Sequence, residues 1–285
     1  MKLKTPKIED LFDAGVHFGH QIRRWHPRME PYIYTVQNNI HVINLEETEK
    51  KLKEACEFLY EKAKSGDQLI FVGTKRQARD IIELEAKRCG AKHVTDRWLG
   101  GTITNFKMIK KNIDNLVDML KKRETGEYNK YTKKERLMLD REIGDLQRRV
   151  GGIVGLRDVP SAVFVIDTKK ERTAVREAKS FGIPVIGIVD TNCDPTAIDY
   201  PIPANDDAIK SIALIVKTIS DAVEQGYKDF DEDKANAEKK EKEVVAEEPE
   251  LKVILVTSDE EIILDDTAVQ TDETLPIIGE VDKKE

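Results

Sequence analysis

Two short turns carry the residue types that hold phosphate. Gly73-Thr74-Lys75-Arg76 follows the apolar run 69–72, and Asp167-Thr168-Lys169-Lys170 follows the run 162–166. Each puts a hydroxyl, then cations, at the start of the next helix. Cations there oppose the helix dipole, so with free backbone amides they read as an anion site. The plainer alternative makes Thr74 and Thr168 ordinary helix caps beside solvated lysines. A denser stretch lies upstream: His17-Phe-Gly-His20-Gln-Ile-Arg23-Arg24-Trp25-His26-Pro27-Arg28-Met-Glu-Pro31-Tyr32-Ile-Tyr34. Cations interleaved with aromatics in irregular backbone can lie along phosphates or stack on unpaired bases. Arg97-Trp98 repeats the pairing. Trp25, Tyr32, Tyr34 and Trp98 can equally be core fillers, and Trp98 beside Leu99 is expected to be one.

Carboxylates gather near the same turns, in Asp190-Thr-Asn-Cys193-Asp194-Pro195 and Asn205-Asp206-Asp207. Asp206 or Asp207 is expected to cap the last helix; a magnesium or zinc site on Asp190 and Asp206 is the minority alternative. His17 and His20 are three residues apart, but no Cys or Glu at ligand spacing completes a metal set. Enzyme signatures are missing: Gly73 stands alone where GxGxxG would be, and there is no GxxxxGK[ST], GxSxG or HExxH. The expectation is a non-catalytic chain that needs no cofactor and takes no small-molecule substrate.

The positioning elements follow from periodicity. Strands are expected at 41–45, 69–72, 93–95, 162–166 and 185–189, with one more near 200–203, and helices at 46–64, 76–88, 169–181 and 206–225. A short helix precedes them, with Thr5-Pro6 as cap and first turn and Gly15 as stop. Strands alternating with helices of this length imply an α/β fold, a doubly wound parallel sheet covered on both faces, whose strand-to-helix turns share one edge. Between the third and fourth strands, residues 101–152 interrupt. Ile103, Phe106, Ile109, Ile113, Leu116 and Leu120 recur at helical spacing, as do Leu139, Ile143, Leu146 and Val150. Two narrow stripes imply an inserted antiparallel coiled-coil hairpin, its second helix opened by a Thr132–Glu135 capping box. Residues 101–150 hold 13 Lys/Arg against 8 Asp/Glu, so the arm is basic.

The domain plan is therefore 1–100, the N-terminal part of the α/β domain with its basic loops; 101–152, the hairpin; 153–228, the rest of the α/β domain; and 229–285, an acidic tail expected to be largely disordered. Residues 231–285 hold 7 basic against 19 acidic residues, and the remainder 40 against 35. The net charge of -7 thus hides a mildly basic body, and such asymmetry points to a polyanionic partner. Three scattered cysteines, Cys56, Cys89 and Cys193, suit a reducing compartment. With no spanning apolar run and no signal-like start, a cytoplasmic chain without membrane contact is expected.

Several motifs together, Gly15-Val-His-Phe-Gly-His20, Arg24-Trp-His-Pro27, Arg97-Trp-Leu-Gly-Gly-Thr-Ile-Thr-Asn105, Phe164-Val-Ile-Asp167, Asp190-Thr-Asn-Cys-Asp-Pro195 and Asp199-Tyr-Pro-Ile-Pro203, closely resemble the bacterial small-subunit ribosomal protein S2 family. The resemblance runs in order from about Ile8 to Gln225. It implies a flavodoxin-like sheet domain with a protruding helical hairpin, assembly onto small-subunit ribosomal RNA, and a part in recruiting the messenger-binding protein S1. Two positions depart from the family: Gln37-Asn38-Asn39 stands where Arg-Asn-Gly is usual, and Asn44 where Asp is usual. On this reading Arg23, Arg24, Arg28, Lys75, Arg76, Arg97, Lys107, Lys110 and Lys111 neutralise phosphates while Trp25 and His26 pack or stack. The competing reading is an α/β nucleotide-binding enzyme or sensor with a coiled-coil partner arm.

Overall fold

The first strands of the chain do not join the sheet that its later strands build. The computed structural model describes residues 4–246. It opens with α1 (Ile8–Asp13), capped at Lys7, whose N–H donates to the Asp10 carboxylate at 3.0 Å; Thr5 is not the cap expected of it. Then β1 (Phe18–Gln21), β2 (Ile33–Gln37) and β3 (Ile40–Ile43) form an antiparallel sheet in the order β1-β3-β2. The stretch expected to be irregular therefore supplies two short strands, with 3-10 turns at Ile22–Arg24 and Pro27–Tyr32 between them. Asn38 and Asn39, both at positive φ, make the tight turn joining β2 to β3, a conformation Asn tolerates and hairpins require. The first expected strand is thus paired on both edges before the parallel sheet begins.

Asn44 caps α2 (Leu45–Lys64), accepting from the Glu46 N–H. The parallel sheet follows: β4 (Leu69–Val72), α3 (Arg79–Cys89), β5 (Lys92–Val94), then, after an insertion, β6 (Ala162–Ile166), α6 (Arg172–Ser180), β7 (Val185–Val189), β8 (Tyr200–Pro203) and α7 (Ile209–Ala246). The order is β5-β4-β6-β7-β8, every pair parallel. The winding reverses between β4 and β6, so that is the switch point where such sheets hold ligands. β4, β6 and β7 are buried throughout, as strands covered on both faces must be. Alternate residues serve opposite cores. Leu69, Phe71, Ala162 and Phe164 face one that includes Leu52, Leu59, Ile212 and Ile219; Ile70, Val72, Val163 and Val165 face another with Trp98, Val175 and Val185.

The insertion holds α4 (Phe106–Glu124) and α5 (Lys133–Val150), which contact each other. Ile109, Ile113, Leu116, Met119, Ile143 and Val150 are buried and belong to the second core. Thr132 and Glu135 make the expected reciprocal cap. Because β3 lies outside the parallel sheet, the insertion falls between that sheet's second and third strands. The last helix also differs: it runs past Gln225 to Ala246, so 229–246, expected to be disordered, are helical. Its sequence is rich in Lys, Glu and Ala, strong helix formers, and Lys228 pairs with Glu224 one turn earlier. The apolar runs 251–256, 262–264 and 275–278 lie outside the described residues.

The two sheets meet where β1 crosses the end of β7. A Cβ on Gly19 would lie 2.6 Å from Thr191 Cγ2 and 3.0 Å from the His41 carbonyl oxygen. Gly19→Ala should destabilise by about 2 kcal/mol through this overpacking. Gly144, in α5 with open space at its Cβ, is the control: its alanine variant should gain up to about 1 kcal/mol of helix propensity. Urea unfolding of both variants checks the opposite signs.

Candidate nucleic-acid interface

The turn edge of the parallel sheet collects most of the residues picked out by type and spacing. Thr74 and Lys75 follow β4, Asp167 and Lys170 follow β6, Asp190 follows β7, and Asn205, Asp206 and Asp207 follow β8. Lys75 Nζ lies 2.7 Å from Asp206, 2.5 Å from Asp207 and 3.6 Å from Asp167. The Thr74 hydroxyl donates to the Glu171 carboxylate across the switch point. Lys170 Nζ donates to the Thr74 carbonyl at 3.2 Å. Groups that would meet a phosphate in a nucleotide protein are thus bound to each other.

β1 closes the cluster from above. His20 Nδ1 is 3.1 Å from Asp190 Oδ2, its Nε2 is 3.5 Å from Asp207, and its backbone N–H donates to Thr191 Oγ1 at 2.8 Å. Four carboxylates therefore face one ammonium and one imidazole, and the surplus negative charge draws protons. Burial and the charges of Asp190 and Asp167 push the Asp206 carboxyl well above the carboxylate range, against the pull of Lys75. Burial works against the Lys75 ammonium, yet its bonds to Asp206 and Asp207 hold it above the ordinary lysine value. The hydrogen bond to Asp190 raises His20 despite its burial.

This arrangement corrects several expectations. Thr74 is no helix cap: Ala78 precedes α3 and Glu171 precedes α6, neither giving a side-chain cap. Asn205 Oδ1, not Asp206 or Asp207, accepts from the first free amides ahead of α7, those of Asp207 and Ala208. Lys75, assigned to phosphate, is turned onto carboxylates, and Arg28 is tied to Asp194 and Thr196 at 2.8 Å each. The metal alternative fits poorly. Ligand atoms of Asp167, Cys193 and Asp206 do converge, as do those of His20, Asp206 and Asp207. But Lys75 already supplies the positive charge there, Asp190 is engaged by Thr191 and His20, and burial pushes the Cys193 thiol up to about 12, leaving it protonated.

The other cations point outward. Arg23 and Arg24 sit exposed on the first 3-10 turn, Arg76 and Arg97 on the turns after β4 and β5, and Lys107, Lys110 and Lys111 on the first turns of α4. None of the seven makes an ion pair among the described residues; Lys110 reaches only the Arg157 carbonyl, at 3.4 Å. Trp25 is half-buried over the His41 ring, centroids 5.3 Å apart. His26 is half-buried and accepts from the Arg28 N–H, while Tyr34 is 75% exposed.

One functional residue was not picked out in advance. Glu177 on α6 is buried, and its carboxylate accepts from the backbone amides of Gly101 (2.8 Å), Ile103 (3.1 Å) and Thr104 (3.4 Å) and from Trp98 Nε1 (3.4 Å). It clasps the loop that carries Arg97 and launches α4. A glutamate directly after an arginine on an amphipathic helix looks like a solvated charge; the only hint was a run of loop amides, 97–105, in need of an acceptor.

Comparison with known proteins identifies the family. The family described as ribosomal protein S2 matches residues 11–226. The small ribosomal subunit protein uS2 of Dictyoglomus thermophilum is 48% identical over 240 residues, covering 84% of this chain and 97% of the relative. That of Synechocystis sp. is 45% identical over 258 residues, 86% and 96% of the two chains. The uS2c of Guillardia theta is 47% identical over 234 residues, 82% of this chain and all of the relative.

Two expectations follow from the geometry. Glu177→Ala should cost about 3 kcal/mol by stranding several buried donors, and Glu177→Gln, which keeps an acceptor, about half that; chemical denaturation showing under about 0.5 kcal/mol for the alanine variant contradicts the clasp. His20, with its folded pKa raised, contributes stability that is complete below pH 6.5, its ordinary value, and is lost as pH rises through the folded value. His17 and His41 are lowered by burial and run oppositely. Proton NMR titration should place the His20 midpoint above those of His17 and His41, and His20→Gln should flatten the loss of stability above pH 6.5.

Proposed function

The chain belongs to the ribosomal protein S2 family, and on that premise we propose that it is a structural constituent of the small ribosomal subunit, held on ribosomal RNA by its outward-facing cations. The family is structural rather than enzymatic, and its place is the ribosome. Arg23, Arg24, Arg76, Arg97, Lys107, Lys110 and Lys111 form the RNA-facing set, with Trp25 and His26 packing beside them. The paired helices α4 and α5 act as an antiparallel coiled-coil arm whose basic surface lies along phosphates, and neighbouring subunit proteins, S1 among them, dock on what the RNA leaves open.

The observation that carries the reading is the division of the charges. At the switch point the cations are bound to carboxylates, whereas on the loops and the start of α4 they are exposed and unpaired among the described residues. A nucleotide sensor needs the reverse. Phosphate contacts of this kind position a protein without reading sequence, and they weaken steeply with salt. Arg23→Glu with Arg24→Glu should lower incorporation into small subunits on sucrose gradients by about tenfold or more, leaving the melting temperature unchanged. Wild-type incorporation of this variant contradicts the assignment.

A further inference from the structure

The face of α5 turned away from α4 has no part in the core. Leu139, Ile143, Leu146 and Val150 face the second core. On the opposite side Leu137, Arg141, Gly144 and Arg148 follow one another at four-, three- and four-residue steps, and so share one face. Leu137 is 52% exposed and Met138, beside it, 60%. Either alone would need no explanation. Together they put two aliphatic side chains in water on a helix whose apolar stripe is already buried elsewhere.

Two further features mark the same face. Lys134 and Arg141, one turn to either side of Leu137 and Met138, are exposed. With Lys133 and Arg136 they make no ion pair among the described residues. Glu135 is taken up by the helix cap and Asp145 by Arg148, so only Asp140 and Glu142 stand against these four cations. The other feature is Gly144. It sits inside α5, where glycine weakens a helix, yet nothing lies within 4 Å of the place its Cβ would take. Its φ is not positive either, so no contact or turn within the protein calls for it. A missing side chain there allows close approach from outside. Gly144 also lines a cleft of about 560 Å³ between α5 and α3, with Gln147 and Arg148 on one wall and Arg79, Asp80 and Glu83 on the other, so a second helix has room to pass.

We propose that this face docks an acidic, amphipathic helix of another small-subunit protein. Apolar residues of that helix, three and four apart, lie on Leu137 and Met138; its carboxylates meet Lys134 and Arg141; its backbone crosses close over Gly144. Met and Arg are residue types that such interfaces favour. RNA is the poorer occupant, because Leu and Met offer neither a hydrogen bond to a base edge nor an aromatic plane to stack on. A second copy is also poorer, because the face is net positive and repels itself. The proposal rests on the ribosomal reading and deepens it: the hairpin meets RNA with the start of α4 and protein with the outside of α5.

The test places a benzophenone photo-crosslinker at position 137 of the full chain. Purified small subunits that have incorporated it are irradiated, and the crosslinked peptides are sequenced by mass spectrometry. The expected product is a peptide of another subunit protein, net acidic and with apolar residues at helical spacing. Lys134→Glu/Arg141→Glu and, separately, Gly144→Leu should each lower its yield about tenfold, with incorporation and melting temperature as in the wild type. A crosslink to RNA, to a second copy, to a basic segment or to nothing, in subunits that do contain the chain, overturns the assignment and leaves the RNA-binding reading standing. A yield unchanged in either variant does the same. Loss of the Lys134→Glu/Arg141→Glu chain from the subunits gives the face to RNA and also overturns it. Absence of the wild-type chain from small subunits would sink both readings.

Discussion

Everything at the turn edge depends on how one lysine is neutralised. Lys75 leaves β4 at the position where a doubly wound sheet would present a cation to a nucleotide phosphate, and it finds Asp206 and Asp207 from the far edge of the sheet and Asp167 from β6. Half-buried charges are tolerated only when so compensated. Once this knot is tied, and Thr74 is bound to Glu171 beside it, the Lys75 ammonium and the Thr74 hydroxyl are engaged within the protein. The fold keeps the geometry of a nucleotide protein, while the cations proposed to meet RNA lie exposed on its loops; function resides in sites and not in folds.

The same knot explains how the N-terminal sheet is placed. His20 adds its ring to the surplus of carboxylates, and Thr191 takes the His20 and His26 amides on its hydroxyl and carbonyl. Gly19 lets the two backbones approach closely enough for this. The 3-10 turn bearing Arg23 and Arg24 is thereby fastened to the end of β7. On the other face, the Glu177 clasp does the same for Arg97 and the start of α4. Two buried carboxylate arrangements thus hold two sets of outward cations, and burial of acids is what makes exposure of bases rigid.

Much of this was legible in the residues. The runs at 69–72, 162–166 and 185–189 are read correctly because parallel strands buried on both faces have no polar alternation to confuse. The stripes of Ile109, Ile113, Leu116 and Ile143 mark side chains that do enter the core. What was not legible depends on long-range partners. The prolines and arginines around Trp25 mask β1 and β2, and only Asn38-Asn39 hinted at a hairpin. Thr74 resembles a cap by local rule, yet its partner, Glu171, lies just ahead of α6, 97 residues away. Lys75 and Arg28 look as free as Arg76 and Arg97 until the fold brings carboxylates to them. The end of the last helix was misplaced because Lys, Glu and Ala serve a helix and a disordered tail equally well.

The central claim is that outward arginines grip RNA while the switch-point cations stay bound within the protein. Arginine- and lysine-selective chemical footprinting read by mass spectrometry, on the free chain and on assembled small subunits, tests it directly. Arg23, Arg24 and Arg97 should react in the free chain and be protected in the subunit, with Lys75 unreactive in both. Equal labelling of the three arginines in both states, or a Lys75 that reacts freely until a mononucleotide is added, would contradict it.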